Sequence, residues 1–369
     1  MKKILFLIFI FLINFNVSFA VEEIHLETEK NTFEYLSDVY YGKVEDANPL
    51  FKLFSKKGLE FKNSPINSVK ATFLYSGELN FLKNEHESFS AQHDFSVIEP
   101  AITTHFNDNK SQAQFSYNIM REIKGHPNGF TRRISTLYIS HYITENQTIL
   151  FGQGSRLPTN FNGSLSTMQQ EFVLKSLIGR TLGDARSVGI RNIANYKYLE
   201  YDIGLYDSTR YMRDFGHGLD FTGYLMVKPF ADFNEKIGKV RLGTSYNVGE
   251  YKNSYTQYSF FLGYDYNKIH FRSEFADADG YNTRVCVRDN SNGFYTTLGY
   301  DITPKLTILG RYDYLNPSKG ISHDSTQEFT AGFTYNAFKN MKFMLNFIHR
   351  DFSNKSDSNM ILFATRFIL

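Results

Sequence analysis

Cysteine is almost missing from this chain of 369 residues: Cys286 stands alone, which excludes an intrachain disulfide and any cysteine-based metal cluster. Tryptophan is absent, so Tyr must serve wherever an amphipathic ring is needed. Long apolar runs are lacking beyond the start. Lys2 and Lys3 precede an apolar run from Ile4 to Ile13, and Ser18, Phe19 and Ala20 stand ahead of Val21, which reads as a cleaved secretory signal peptide over residues 1–20. That run is too short to span a bilayer comfortably, and at a mean hydropathy of -0.35 nothing downstream replaces it. Any membrane insertion must therefore use strands. An excess of one charge is lacking too: the 40 basic and 38 acidic residues balance once Lys2 and Lys3 are removed. Balance of this kind points to no nucleic acid and to no strongly acidic partner. No Gly-x-Ser-x-Gly elbow, phosphate-cradling glycine loop or His-Glu-x-x-His motif is present, and Asp277 with Asp279 supplies too few ligands for a calcium loop. The expectation is a protein that is not an enzyme and carries no cofactor or metal.

Aromatic residues are plentiful at 17%, with 25 Tyr and 36 Phe, and their placement is periodic. From Thr256 to Tyr266, the residues Tyr258, Phe260, Leu262, Tyr264 and Tyr266 fall on one face, with Gln257, Ser259, Gly263 and Asp265 on the other. Only Phe261 breaks the alternation. From Gln327 to Ala337 the apolar set is Phe329, Ala331, Phe333 and Tyr335, against Glu328, Thr330, Gly332, Thr334 and Asn336. Period two means strand. Faces this aromatic suit a transmembrane β-barrel, with rings outward in outer-membrane lipid and Tyr at the interfaces.

The pattern predicts sixteen strands after a periplasmic lead-in over 21–67. They fall at 68–82, 92–105, 110–121, 132–144, 147–155, 186–196, 199–208, 218–229, 239–248, 254–266, 268–276, 293–302, 304–315, 326–337, 341–350 and 359–369. Short turns at Glu145-Asn146, Lys197-Tyr198, Asn267-Lys268, Thr303-Pro304 and 338–340 alternate with long polar loops. The fold expected is an all-β, antiparallel transmembrane barrel occupying 68–369, with even strand number, both termini on the periplasmic side, and no second large domain.

One connection is far longer than the rest. Arg156 to Ala185 keeps apolar residues at Phe172, Val173, Leu174, Leu177, Ile178 and Leu182, so this third long loop is expected to fold into the lumen and narrow it. Here the run Phe172 to Leu177, followed by Asp184-Ala185-Arg186-Ser187-Val188-Gly189-Ile190, resembles a stretch of the phosphate-selective porin O and P family. In that stretch a Phe-x-x-Arg-Ala-Leu run precedes an Arg-Asx-hydrophobic-Gly run. Leu150 to Pro158 is similar to the family's strand-to-loop passage of the Gly-Gln/Lys-x-x-x-Pro type, and Gly58-Leu59-Glu60-Phe61 to its entry. Leu174 departs from the acidic residue frequent there, and Lys175 replaces the arginine. The resemblance implies a sixteen-stranded, trimeric outer-membrane porin.

A pore selects by its width and by charged groups at its constriction. The cations near the long loop are Arg156, Lys175, Arg180, Arg186 and Arg191, with Glu171 and Asp184 as the nearby acids. An arginine fork suits phosphate or carboxylate oxygens. The same arginines can instead pair with lumen acids and stiffen the loop. Strand parity adds Arg241, Arg272, Arg311, Lys342 and Arg366 to the inner wall, beside Asp265, Glu274, Asp301 and Asp313. The function expected is passive diffusion of small neutral or anionic solutes, with a lean toward phosphate or other anions. A non-conducting barrel acting as an adhesin or structural protein, and a rim-active hydrolase, are the other classes that share this architecture.

Overall fold

Alternating sequences of this kind must hydrogen-bond to neighbours on both sides if no edge is to face hydrocarbon, and among the described residues each barrel strand has a partner on either side. The computed structural model describes residues 52–55, 57–84, 90–120, 133–154, 156–183, 185–209, 216, 218–251, 253–280, 290–321, 324–353 and 356–369. The expected signal peptide, most of the lead-in, Asp184 and Cys286 lie outside the described residues.

A two-residue strand, β1 (Leu59–Glu60), precedes the barrel. The barrel strands are β2 (Ile66–Asn84), β3 (Ser90–Phe106), β4 (Ser111–Tyr117), β5 (Ile134–Thr144), β6 (Gln147–Gln153), β7 (Val188–Asn195), β8 (Leu199–Asp207) and β9 (Leu219–Val227). They continue with β10 (Lys239–Tyr251), β11 (Asn253–Tyr266), β12 (Ile269–Asp279), β13 (Asn290–Thr303), β14 (Leu306–Asn316), β15 (Thr326–Phe338), β16 (Met341–Phe352) and β17 (Ser358–Ile368). Each pairs antiparallel with its sequence neighbour, and β17 returns to β2 through Ile368 opposite Leu74 and Ser358 opposite Asn84. The barrel is closed, with sixteen strands.

Every expected tract is a strand, and only the ends differ. β4 stops at Tyr117 because the ladder to β5 slips between Ser116 and Tyr117, after which the Ile119 amide bonds back to the Ile98 carbonyl. β1 was not anticipated. It follows Gly58, whose φ of 77° and 2.6 Å approach to the Val69 carbonyl oxygen by any added Cβ leave room only for glycine.

The outward face is the apolar one. On β11, Tyr258, Phe260 and Leu262 are exposed, while Gln257, Ser259, Phe261 and Gly263 between them are buried. Tyr at both ends with Leu between reproduces the girdle arrangement, and eight residues of tilted strand cover roughly 20 Å along the barrel axis. Rings also meet across strands: Phe294 with Tyr312 at 5.7 Å, and Tyr312 with Phe329 at 4.8 Å between centroids. Such pairs fix register as well as filling the surface. Leu262→Arg, at the middle of this belt, is expected to cost about 2–4 kcal/mol, whereas Tyr266→Arg near the short-turn end should cost about 0–1 kcal/mol. Denaturant unfolding in lipid vesicles would measure both, and equal penalties would contradict this placement of the belt.

Candidate functional site

The connection between β6 and β7 lies inside the barrel. Locally it is built from two short helices, each opened by a polar side chain that takes up an otherwise unpaired amide. Asn160 accepts from the Gly163 amide at 2.6 Å at the start of α1 (Phe161–Ser164), and Ser176 accepts from the Gly179 amide at 3.0 Å at the start of α2 (Leu177–Thr181).

Its apolar residues sit in four places on the inner wall. Leu157 and Ala185, at the neck, pack on Tyr206 of β8. Phe161 stacks on Phe261 at 3.8 Å between ring centroids, next to Tyr224 and Met226. Leu177, Ile178 and Leu182 pack against Tyr255, Ala276, Ala278, Tyr295 and Leu315. Val173 meets Met344, Ile348, Leu362 and Ala364 of β16 and β17. Phe261, the position that broke the alternation on β11, is therefore where the loop docks. The inward apolar residues of these four clusters have the same explanation: the loop packs on them.

Polar groups complete the attachment, since a buried loop must find partners for its backbone. Glu274 of β12 accepts the Phe161 and Asn162 amides at 2.5 and 3.0 Å, Asp313 of β14 accepts the Leu177 amide at 2.9 Å, and Asn346 of β16 accepts the Val173 amide at 2.7 Å. Carbonyls are met by donors from the wall. Ser245 and Gln257 reach Thr159 at 2.6 and 3.0 Å, and Thr334 reaches Glu171 at 2.7 Å. Sequence parity places Glu274, Asp313 and Glu328 on the inner face but does not reveal them as receptors for loop amides and arginines. The available signal is the set of apolar residues at inward positions beside them.

The ten cations singled out from the sequence divide by what they touch. Arg156 donates to the Leu165 carbonyl at 3.2 Å and Lys175 to the Gly163 carbonyl at 2.5 Å, both within the loop. Arg180 pairs with Glu328 at 2.8 Å. Arg186 donates to the Ser135 carbonyl at 2.5 Å and the Gly154 carbonyl at 3.4 Å, and Arg191 pairs with Asp202 through its Nε at 2.7 Å and reaches the Arg156 carbonyl at 3.3 Å. On the wall, Arg311 holds Asp313 at 2.5 Å and the Leu174 and Lys175 carbonyls at 3.0 and 3.3 Å, with its guanidinium 4.6 Å from the Phe172 ring centroid. Lys342 donates to the carbonyls of Met168, at 2.8 Å, and of Gln170. Arg366 reaches Thr167 and Val173 carbonyls at 2.9 and 2.6 Å. These eight hold the loop or its neck.

Arg241 of β10 and Arg272 of β12 are arranged differently. Both point toward Asp265 of β11, at 2.7 and 2.6 Å to its two oxygens, and His270 bridges Asp265 and Asp301 at 2.9 and 2.8 Å. Arg241 and Arg272, with Phe161, Leu165, Glu171 and Leu174 of the loop, border a lumen pocket of about 320 Å³. Lys175 and Arg311 border the same pocket but are spent on loop carbonyls and Asp313, whereas Arg241 and Arg272 are held chiefly by Asp265 of the wall.

No family model matches the chain, and no curated protein matches it by sequence. Solved structures do match by shape. A loop-deletion mutant of OmpT, an outer membrane protein of Vibrio cholerae, aligns with a TM-score of 0.62 at 10% identity, covering 82% of this chain and 99% of that one. An anion-selective porin from Comamonas acidovorans gives 0.60 at 11% identity over 82% and 99%. The outer membrane channel DcaP of Acinetobacter baumannii gives 0.54 at 12% identity over 84% and 99%. At these identities the likeness is one of fold: the chain has the barrel of outer-membrane porins and channels.

Proposed function

We propose that this protein is an outer-membrane porin, exported by its signal peptide, through which small hydrophilic solutes diffuse passively past the in-folded loop, with anions favoured. The observation that carries this reading is the pocket beside the loop, where Arg241 and Arg272 share the single carboxylate of Asp265 and face the lumen. The pocket gathers Arg241, Arg272, Lys175 and Arg311 with Glu171 and Glu200 where the passage is narrowed, and charged groups at a narrowing are what select a solute by sign. Phosphate is the specific anion that the resemblance to the porin O and P family suggests, and its recognition by arginine forks is chemically apt. Association into a homotrimer belongs to the same reading; among the similar structures, OmpT of Vibrio cholerae is described in a trimer form. Catalysis has no part in it.

Reconstitution into planar bilayers tests the proposal. Stepwise conductance, with reversal potentials displaced toward anions in asymmetric salt, is the expected result. A barrel that inserts but never conducts would favour the adhesin or structural role, and a cation preference would remove only the anion part.

A further inference from the structure

The pocket that borders the loop has two unlike walls. From β10 and β12 come the guanidinium groups of Arg241 and Arg272, and from the loop come the half-buried apolar side chains of Phe161, Leu165 and Leu174. Arg241 keeps Nη2 on Asp265 at 2.7 Å and leaves 26% of its side chain exposed, so part of its guanidinium is open to the pocket. Arg272 is more fully committed, to Asp265 at 2.6 Å and to the Phe271 carbonyl at 2.7 Å.

We infer that this pocket recognises an organic monoanion, a carboxylate carrying an apolar body such as a phenyl ring or a branched alkyl chain. The assignment rests on the porin reading and narrows it. An inorganic oxyanion would engage the arginines and leave Phe161, Leu165 and Leu174 against water. A carboxylate with an apolar body engages the exposed part of the Arg241 guanidinium through its oxygens and covers the loop wall with its carbons. The cavity, about 320 Å³, lies within the size range of small-molecule sites and exceeds what a bare oxyanion fills. Acids limit the charge it accepts. Glu171, 3.8 Å from Arg272, and Glu200, 3.2 Å from Lys228, also line the pocket, and the Lys175 and Arg311 side chains there are spent on loop carbonyls and Asp313, so a second negative group on the solute would meet a carboxylate.

Block of chloride current through the full-length protein in planar bilayers tests the inference, with benzoate, acetate, phthalate and inorganic phosphate as the probes. Benzoate is expected to halve the current at a concentration roughly tenfold below that of acetate, which shares its headgroup but lacks the ring, and below those of phthalate and phosphate. Leu165→Asn should bring benzoate to the level of acetate, and Arg241→Gln should weaken both carboxylates. Channels blocked equally by benzoate and acetate, or best by phosphate, would overturn the inference while leaving the porin standing. If no channel forms, the porin reading fails, and calorimetric titration of the detergent-held barrel with benzoate decides the pocket by itself. Heat of binding abolished by Arg241→Gln would uphold the site, and no heat would reject it.

Discussion

Replacing Glu328 with alanine is expected to unfasten the far end of the lumen loop. Its carboxylate is fully buried and receives Arg180 at 2.8 Å, Arg350 at 2.6 Å and, more distantly, Arg311 at 3.5 Å, which Asp313 holds at 2.5 Å, so one residue ties a loop cation to a wall cation. Removing one member of such a cluster strands the others, which in a dry interior costs about 3–5 kcal/mol. Here the cost should fall near or below the lower limit, because Arg180 and Arg350 keep 23% and 20% of their side chains exposed and lumen water can reach them. The barrel hydrogen bonds are untouched, so loosening should be local. Amide exchange of Val173 and Leu177, whose protons are held by Asn346 and Asp313, should rise by two orders of magnitude or so while strand amides stay protected. Open-channel current should become noisier at the same time. Strand and loop amides exchanging alike would show that the loop is not a separate unit held by this cluster.

Much of the architecture was legible because a membrane barrel obeys one constraint at every strand: apolar outward, polar or small inward, period two. That constraint predicts all sixteen strands, and the alternation of turns and loops supplies closure. What escaped is non-local. β1 has two residues and no alternation to read, and its existence depends on the Gly58 turn and on pairing with Val69 and Ser68. The loop's course is another case. Its apolar content announces that it packs on something, but which wall receives it follows only from the inward Phe261, Met344, Ile348 and Leu362, each of which looks like noise in its own strand. The candidate site divides on the same line. The arginine residue type suits both solute oxygens and lumen acids, so sequence alone leaves the two roles of Arg180 and Arg186 undivided, and parity sets Arg311 and Arg366 on the inner wall without showing that the loop buries them; the contacts separate all four from Arg241 and Arg272. A cation near a buried loop is more readily consumed by backbone carbonyls than left for solute, because each unpaired carbonyl carries its own desolvation penalty.

The division gives the second large effect. Neutralising the pocket pair, Arg241→Gln with Arg272→Gln, is expected to lower the anion-to-cation permeability ratio by about fivefold or more at low salt. One unit charge passing within ~4 Å of another in water is worth about 1 kcal/mol, or close to a factor of five, and the double variant removes two. The remaining Asp265, with Asp301 across His270, would then tip the local balance toward cations. Screening should erase most of the difference at ~1 M salt, where the Debye length falls to about 3 Å. Arg180→Gln, which removes a charge bound to Glu328, is expected instead to change loop exchange and thermal resistance with a much smaller shift in reversal potential. Reversal potentials across a salt series separate the two cases. If Arg180→Gln moved selectivity as far as the pocket double variant, the eight loop-holding cations would have to be counted as part of the conducting surface, and the loop itself as mobile enough to expose them.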